Sequence, residues 1–313
     1  MSILHFGMTL PVQGQSRLMA ESWEASAGPP EMARVARACE AAGFDNVSVC
    51  DHVAVPRQLA DRMSTVWYDP VATLGWLAGI TARLRLLSQI YVLPYRHPLQ
   101  TAKSFATLDA LSGGRAVLGV GTGHVEAEFG ALGVSFADRG RLTDEAVRAL
   151  RRLFADEWGG GAGEPDDLGQ QPRPVQPGGP PIWVGGSTAP ARRRAALLGD
   201  GWLPQGPPRI GMQAAVAEIL ALREEAGKAG EPFAMGDMAA FYVGEPAWET
   251  GRYCLAAPGE RIAEFLLGRA AMGVTHVQVR LRSRDTEELE DQIAAFAGSV
   301  VPLLAGASVE AGR

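Results

Sequence analysis

Asp51 and His52 directly follow a short apolar run, Asn46-Val47-Ser48-Val49-Cys50. A carboxylate beside an imidazole suits proton transfer near neutral pH, because imidazole titrates around pH 6.5 and a neighbouring acid can fix its orientation. The same pair also serves as a satisfied structural contact at a rim. A second cluster, Gly185-Gly186-Ser187-Thr188, precedes a helix expected from about Ala189. Its two glycines let backbone approach a ligand closely, and its two hydroxyls lie beside the unpaired N–H groups of a helix start, which together describe a phosphate cradle. The plainer reading is a Ser/Thr N-cap after a tight turn. A third cluster, Gly119-Val120-Gly121-Thr122-Gly123, is half of a dinucleotide fingerprint, but the next strand ends Trp183-Val184-Gly185 and not in the acid that fingerprint needs. It reads better as a glycine-rich rim where a flat ligand lies against backbone, with Thr122, His124 and Glu126 projecting nearby. His52, His97 and His124 have no HxH or HExxH spacing, and no Gly-x-Ser-x-Gly elbow is present, so no metal site is expected and an organic cofactor must supply the reactivity.

These clusters need elements to position them. Ile3 to Thr9 reads as a first strand, and Pro30 to Ala42 as a helix stopped by Gly43. Strand two is Asp45 to Cys50. Asp69-Pro70 opens a helix running to about Ala82, with a capping acid and a proline in its first turn. Leu84 to Val92 is a continuous strand three, within which Ser88-Gln89-Ile90, taken alone, is core. His97 to Leu111 is helical, Gly113-Gly114 turns the chain, Ala116 to Gly121 is strand four and Asp138 to Phe154 is a helix. Gly159 to Pro181 collects glycines, prolines and acids as a long surface loop. Strands five to eight are Pro181 to Val184, a short piece within Gly199 to Leu203, Met235 to Val243, and Val274 to Leu281. Helices Ala189 to Leu198, Ile210 to Ala229, Pro258 to Met272 and Thr286 to Leu304 intervene and follow. Eight strand-then-helix units predict a closed (β/α)8 barrel with continuously apolar inner strands and its chemistry at the C-terminal strand ends.

The bulk properties agree. The 313 residues form one expected barrel domain, 47% hydrophobic, with a net charge of −6 and no basic block, which argues against nucleic acid or an anionic membrane surface as partner and for a small-molecule substrate. The chain starts MSILHFGMTL, without the pattern of a secretion signal, and contains no apolar stretch of membrane-spanning length, so a cytoplasmic location is expected. Cys39, Cys50 and Cys254 are scattered and read as reduced buried thiols. Only Lys103 and Lys228 are lysines among 29 basic residues, a bias of GC-rich genomes.

In order and spacing, a set of short motifs resembles the luciferase-like monooxygenase superfamily over nearly the whole chain. They are Phe44-Asp45 through Asp51-His52, Tyr68-Asp69-Pro70, Arg83-Leu84-Arg85-Leu86 to Val92-Leu93-Pro94-Tyr95-Arg96-His97-Pro98, and Ser112-Gly113-Gly114-Arg115 through Gly123. Further along come Glu128-Phe129 with Ala131-Leu132-Gly133, Arg139-Gly140 to Glu145, Pro181 through Gly186, and Gly199-Asp200-Gly201-Trp202. The resemblance implies a barrel whose mouth holds a flavin or deazaflavin ring. Ser88, Gln89 and Ile90 then carry a bulge with a non-prolyl cis bond at Gln89-Ile90 that supports the ring. Thr122, Gly123 and His124 border it, Gly185, Gly186, Ser187 and Thr188 hold the phosphate, and Asp51 and His52 transfer protons or orient substrate. Two positions depart from the pattern: Gln89 stands where a small residue is usual, to crowd the ring or hydrogen-bond to it, and His124 stands where the sugar-phosphate dehydrogenases of the superfamily have a glutamate, leaving His124 or Glu126 to take that role. The Asp-His pair, the cradle and the coding bias of actinomycetes favour coenzyme F420 and hydride transfer. The alternatives are an FMN-dependent monooxygenase served by a separate flavin reductase, and a non-catalytic flavin-binding protein. The resemblance also implies a homodimer. Trp67, Tyr68, Tyr91 and Tyr95 are candidates for an aromatic lining or for core.

Overall fold

The computed structural model describes residues 4–17, 20–158 and 168–310. In chain order the elements are β1 His5–Thr9, α1 Pro29–Ala41, β2 Asn46–Val49, α2 Ala60–Met63, α3 Pro70–Ile80, β3 Arg85–Ser88, β4 Tyr91–Val92, α4 Pro98–Ser112, β5 Ala116–Gly121, α5 Glu126–Ala131 and α6 Arg139–Ala155. They continue with β6 Ile182–Gly185, α7 Ala189–Leu198, β7 Gly201–Leu203, α8 Met212–Glu225, β8 Ala234–Val243, β9 Cys254–Ala257, α9 Gly259–Ala271, β10 His276–Leu281, α10 Thr286–Ser299 and α11 Val301–Glu310. Local chemistry places the helices: Asp69 caps α3 by accepting from the Ala72 N–H at 2.9 Å ahead of Pro70, and Gly113 ends α4 in the left-handed conformation at φ +69°.

The strands pair in parallel in the order β10-β1-β2-β3-β5-β6-β7-β8, and β8 pairs with β10 from Gly236 opposite His276 to Phe241 opposite Leu281, which closes the eight-stranded (β/α)8 barrel. Its core of Val47, Val49, Leu86, Leu118, Val184, Trp202, Val277 and Val279 is fully or almost fully buried.

Strand three is interrupted as the family resemblance implies: β3 ends at Ser88, the Gln89-Ile90 peptide is cis, and pairing resumes as β4 on Val120 and Gly121 of β5. Three details depart from the sequence expectation. β9 is an added strand beside the end of β8, pairing Ala240 with Cys254. The last expected helix is two, α10 and α11, and the helix expected from Ile210 starts at Met212. Lastly, the barrel interior is not uniformly apolar. His276 packs against His5 and Trp183 at ring distances of 4.7 and 4.9 Å, and burial first, then His5, lowers its pKa to about 4. Above it, Gln278 Nε2 donates to Asn46 Oδ1 at 3.0 Å, in space left by Gly7, whose missing Cβ would stand 2.3 Å from the Asn46 amide.

Of the expected surface loop, residues 159–167 lie outside the described residues. The remainder is tied down by Asp109 of α4, fully buried, which accepts from the N–H groups of Val175 and Gln176 at 2.8 and 2.9 Å and from Gln176 Nε2 at 2.7 Å. Replacing this acceptor takes a part-buried partner from the Val175 and Gln176 N–H groups and leaves Gln176 Nε2 with the Ala116 carbonyl alone. Asp109→Ala is therefore expected to lower unfolding free energy by roughly 2–5 kcal/mol in urea titration, and a loss below about 1 kcal/mol would show that the contacts are dispensable.

Candidate active site

The C-terminal ends of β2, β4 and β5 converge on one buried acid that the sequence reading did not single out. Glu128, on the short helix α5, is 1% exposed. Its carboxylate accepts from His52 Nδ1 at 2.9 Å, from the Val53 and Ala54 N–H groups at 2.7 and 3.2 Å, and from the Tyr95 hydroxyl at 3.0 Å. Burial pushes Glu128 upward, but the His52 bond and charge and the two backbone donors outweigh it and hold the carboxyl below its ordinary value of 4.5. Tyr95 is pushed the other way, first by burial and then by the Glu128 charge, so its hydroxyl stays a donor. An acceptor-only carboxylate on Nδ1 selects the tautomer in which Nε2 is the basic nitrogen.

Asp51 does not orient His52. It is 4% exposed and accepts from the Val92 N–H at 2.8 Å and from both terminal nitrogens of Arg96, at 2.9 Å for Nη2 to Oδ1. The Arg96 guanidinium in turn lies over the Tyr91 ring, 4.2 Å from its centroid. A forked, largely buried ion pair of this kind holds the β2 and β4 ends together and commits Asp51 to Arg96 and Val92. The two carboxylates thus divide the work by position: Asp51 fixes the rim, and Glu128 fixes the imidazole.

Around His52, Trp67 stands 4.5 Å away ring to ring, and His124 5.5 Å away edge-on. His124 is exposed at the rim, yet lost solvation in the mouth and the neighbouring His52 keep its pKa below 6.5. Tyr91 and Tyr95 are core, 2% and 7% exposed, whereas Trp67 and Tyr68 are half-buried. Trp67 reaches its place because Gly14 has no Cβ, which would stand 2.3 Å from the indole.

The glycine-rich rim has a use different from the expected one. A Cβ on Gly121 would stand 1.8 Å, and one on Gly185 2.6 Å, from the side chain of Ile90. The glycines therefore seat Ile90, and its half-exposed side chain forms the ledge. Gln89 is turned into the barrel, 4% exposed, where Oε1 accepts from Ser48 Oγ at 2.8 Å and Nε2 points at the Met238 sulfur at 3.6 Å. Ser88, fully buried, donates to the Gly119 carbonyl at 2.9 Å. Gly123, at φ +75°, makes room for Val92 and Phe129, and Thr122 is half-buried beside it.

In the Gly-Gly-Ser-Thr segment only part of the expected cradle is available. The Gly186 carbonyl accepts from Trp202 Nε1 at 2.8 Å and its N–H donates to Leu203, while the Ser187 hydroxyl is used between the Gly206 carbonyl and the Gln205 N–H at 2.6 and 2.9 Å. Thr188 is the N-cap of α7, but its side chain makes no cap bond and is exposed. An anion at this end would meet the Thr188 hydroxyl and the N–H groups of Ala189 and Ala191, Pro190 between them having none, three residues from the Gly185 contact with the Ile90 ledge. Among the described residues no group of His, Cys, Asp or Glu is placed to hold a metal ion, and no helix is long and apolar enough to cross a membrane.

The sequence profile of the luciferase-like monooxygenases matches residues 4–294. The chain belongs to that family. Within it, an uncharacterized protein of Mycobacterium tuberculosis is 34% identical over 211 residues, covering 62% of this chain and 72% of the relative. An F420-dependent glucose-6-phosphate dehydrogenase of Intrasporangium calvum is 32% identical over 201 residues, 59% of this chain and 58% of the relative. Among solved structures, the long-chain alkane monooxygenase LadA superposes with a TM-score of 0.80 at 14% identity, covering 98% and 92% of the two chains. An F420-dependent secondary alcohol dehydrogenase superposes at 0.73 with 18% identity, covering 96% and 99%. These structural likenesses carry the fold.

The depressed Glu128 carboxyl makes a signed prediction. A carboxyl whose pKa is lower folded than unfolded stabilises the protein fully above its unfolded value, here 4.5, and that contribution disappears as pH falls through the lower folded value. The urea-measured stability advantage of the native protein over Glu128→Gln should be constant near neutrality and shrink steadily below about pH 4.5. An advantage that grew on acidification would mean that Glu128 is protonated in the folded state.

Proposed function

We propose that this chain is a coenzyme F420-dependent oxidoreductase that moves a hydride to or from a small organic substrate, with His52 holding or taking the substrate proton. The observation that carries the reading is the His52–Glu128 pair: a half-buried imidazole with one nitrogen fixed by a buried carboxylate and the other left basic. An imidazole held this way is suited to proton transfer at a substrate hydroxyl or carbonyl. The choice of deazaflavin is supported by two relatives named F420-dependent glucose-6-phosphate dehydrogenases, 32% and 33% identical to this chain.

The residues fit such a cofactor. Ile90 would carry the ring, Thr122 and Gly123 would border it, and Thr188 with the start of α7 would take the phosphate. When bound, the deazaflavin supplies the hydride acceptor or donor. The protein's part is to keep His52 in one tautomer, to wall it with Trp67, and to keep His124 as a neutral edge at the rim.

Parallel titration of the purified protein with F420 and FMN, read by absorbance and fluorescence, tests the cofactor. F420 should bind in the micromolar range and FMN at least about tenfold more weakly, a difference of about 1.4 kcal/mol. Preference for FMN would instead make the chain a monooxygenase needing a reductase, and binding of neither would remove the reading. For the proton, His52→Asn should lower turnover of whichever alcohol or enone the native protein accepts by about 10²-fold or more, with F420 affinity unchanged. Equal turnover would remove His52 from the chemistry.

A further inference from the structure

The charges around His52 balance without a ligand. Three half-buried guanidiniums stand at this side of the mouth, and each is paired. Arg96 forks on Asp51 and lies 3.7 Å from Asp69. Arg282 forks on Glu21, with Nη2 to Oε2 at 3.0 Å, and donates to the Thr250 carbonyl. Arg280, near the end of β10, faces Glu21 at 3.7 Å and Glu24 at 3.8 Å. These three cations meet four carboxylates, Asp51, Glu21, Glu24 and Glu128, so none is left over even with Glu24, whose pKa burial raises, taken as neutral. The imidazoles add no free positive charge. A proton on His52 is met by Glu128 at 2.9 Å, and lost solvation with the neighbouring His52 keeps His124 neutral at pH 7. Arg17, Arg57 and Arg62, on the segments after β1 and β2, stand in solvent, where water and salt screen them.

The open surface beside the imidazole is apolar. Trp67 stands ring to ring with His52, and its indole N–H is already given to the Ser64 carbonyl at 3.3 Å. Val53, whose N–H shares Glu128 with His52, and Val66, next to Trp67, expose 50% and 39% of their surface. Apolar side chains gathered at the open end of a site mark a face that a ligand covers. The Ile90 ledge and the start of α7 are left to the ring and phosphate of the cofactor.

We propose that the substrate is an uncharged alcohol or carbonyl compound with an apolar body, lying against Trp67, Val53 and Val66 with its oxygen at His52. A sugar phosphate or an organic acid would bring its charge into a site whose cations are all paired, and a charge desolvated without a partner is costly. A neutral molecule displaces only the water over the apolar flank, which favours its binding.

The substrate class rests on His52 as the group that meets the reacting oxygen, but its test is a binding measurement, so its failure leaves the F420 titration standing. Saturation-transfer NMR is recorded on the purified protein alone and again with F420 at saturation. The probes are cyclohexanol, the size-matched anion cyclohexanecarboxylate, and glucose 6-phosphate. Cyclohexanol should bind saturably in the millimolar range and both anions at least about tenfold more weakly, and Trp67→Ala should weaken cyclohexanol by at least about tenfold. An anion bound within about tenfold of cyclohexanol, no saturable transfer from cyclohexanol in either state, or undiminished binding in Trp67→Ala would each overturn the proposal. If F420 does not bind, the protein alone decides, and if Trp67→Ala fails to fold, the comparison of the three probes on the native protein decides.

Discussion

A buried carboxylate with four donors holds the mouth of this barrel in register. Glu128 reaches from a six-residue helix after β5 to the backbone just past β2 and to a tyrosine just past β4, so three strand ends share one negative charge. Such a charge is tolerable in a dry site only while every donor stays in place. The imidazole is one of those donors, and its orientation follows from the same bonds that anchor the loops. The Arg96–Asp51 pair reinforces the arrangement from the other side of the rim and carries no proton of its own into the mouth.

Around this anchor the site is built from exclusions as much as contacts. Gly14 gives up a side chain so that Trp67 can stand beside His52. Gly7 makes room for the Asn46 and Gln278 amides, which give the barrel a polar middle layer below the mouth. Gln89, by contrast, spends its amide inside the barrel on Ser48 and Met238. The mouth above is left to Ile90, Trp67, two imidazoles and Arg280.

Much of the architecture was legible in the sequence because barrel strands and helices are written in strong local signals. Apolar runs ending in glycine, Asp69-Pro70 and Gly113 each state a boundary that the backbone then obeys. The break in strand three was legible only through family resemblance, since Leu84 to Val92 is uniformly strand-like. Pairing of the two rim groups was not legible. Adjacent residues in an extended segment point to opposite sides, so Asp51 and His52 found different partners 45 and 76 residues away. Glu128 did leave one trace: it shares the face of Val125 and Phe129 at helical spacing, which marks a carboxylate facing inward. Which donors would meet it depended on how three loops close, and local pattern does not record that.

Ile90, Gly121 and Gly185 come from three different strand ends, yet they occupy one small volume. None of the three is free to vary alone: a Cβ at either glycine requires a smaller side chain at position 90, and a larger residue at 90 has nowhere to go. Across relatives the three positions are therefore expected to vary together, and a homologue with alanine at position 121 or 185 would have to carry a compensating truncation opposite. The shape of the ledge would then be written in correlated substitutions spread over almost a hundred residues of chain, where no single position reveals it.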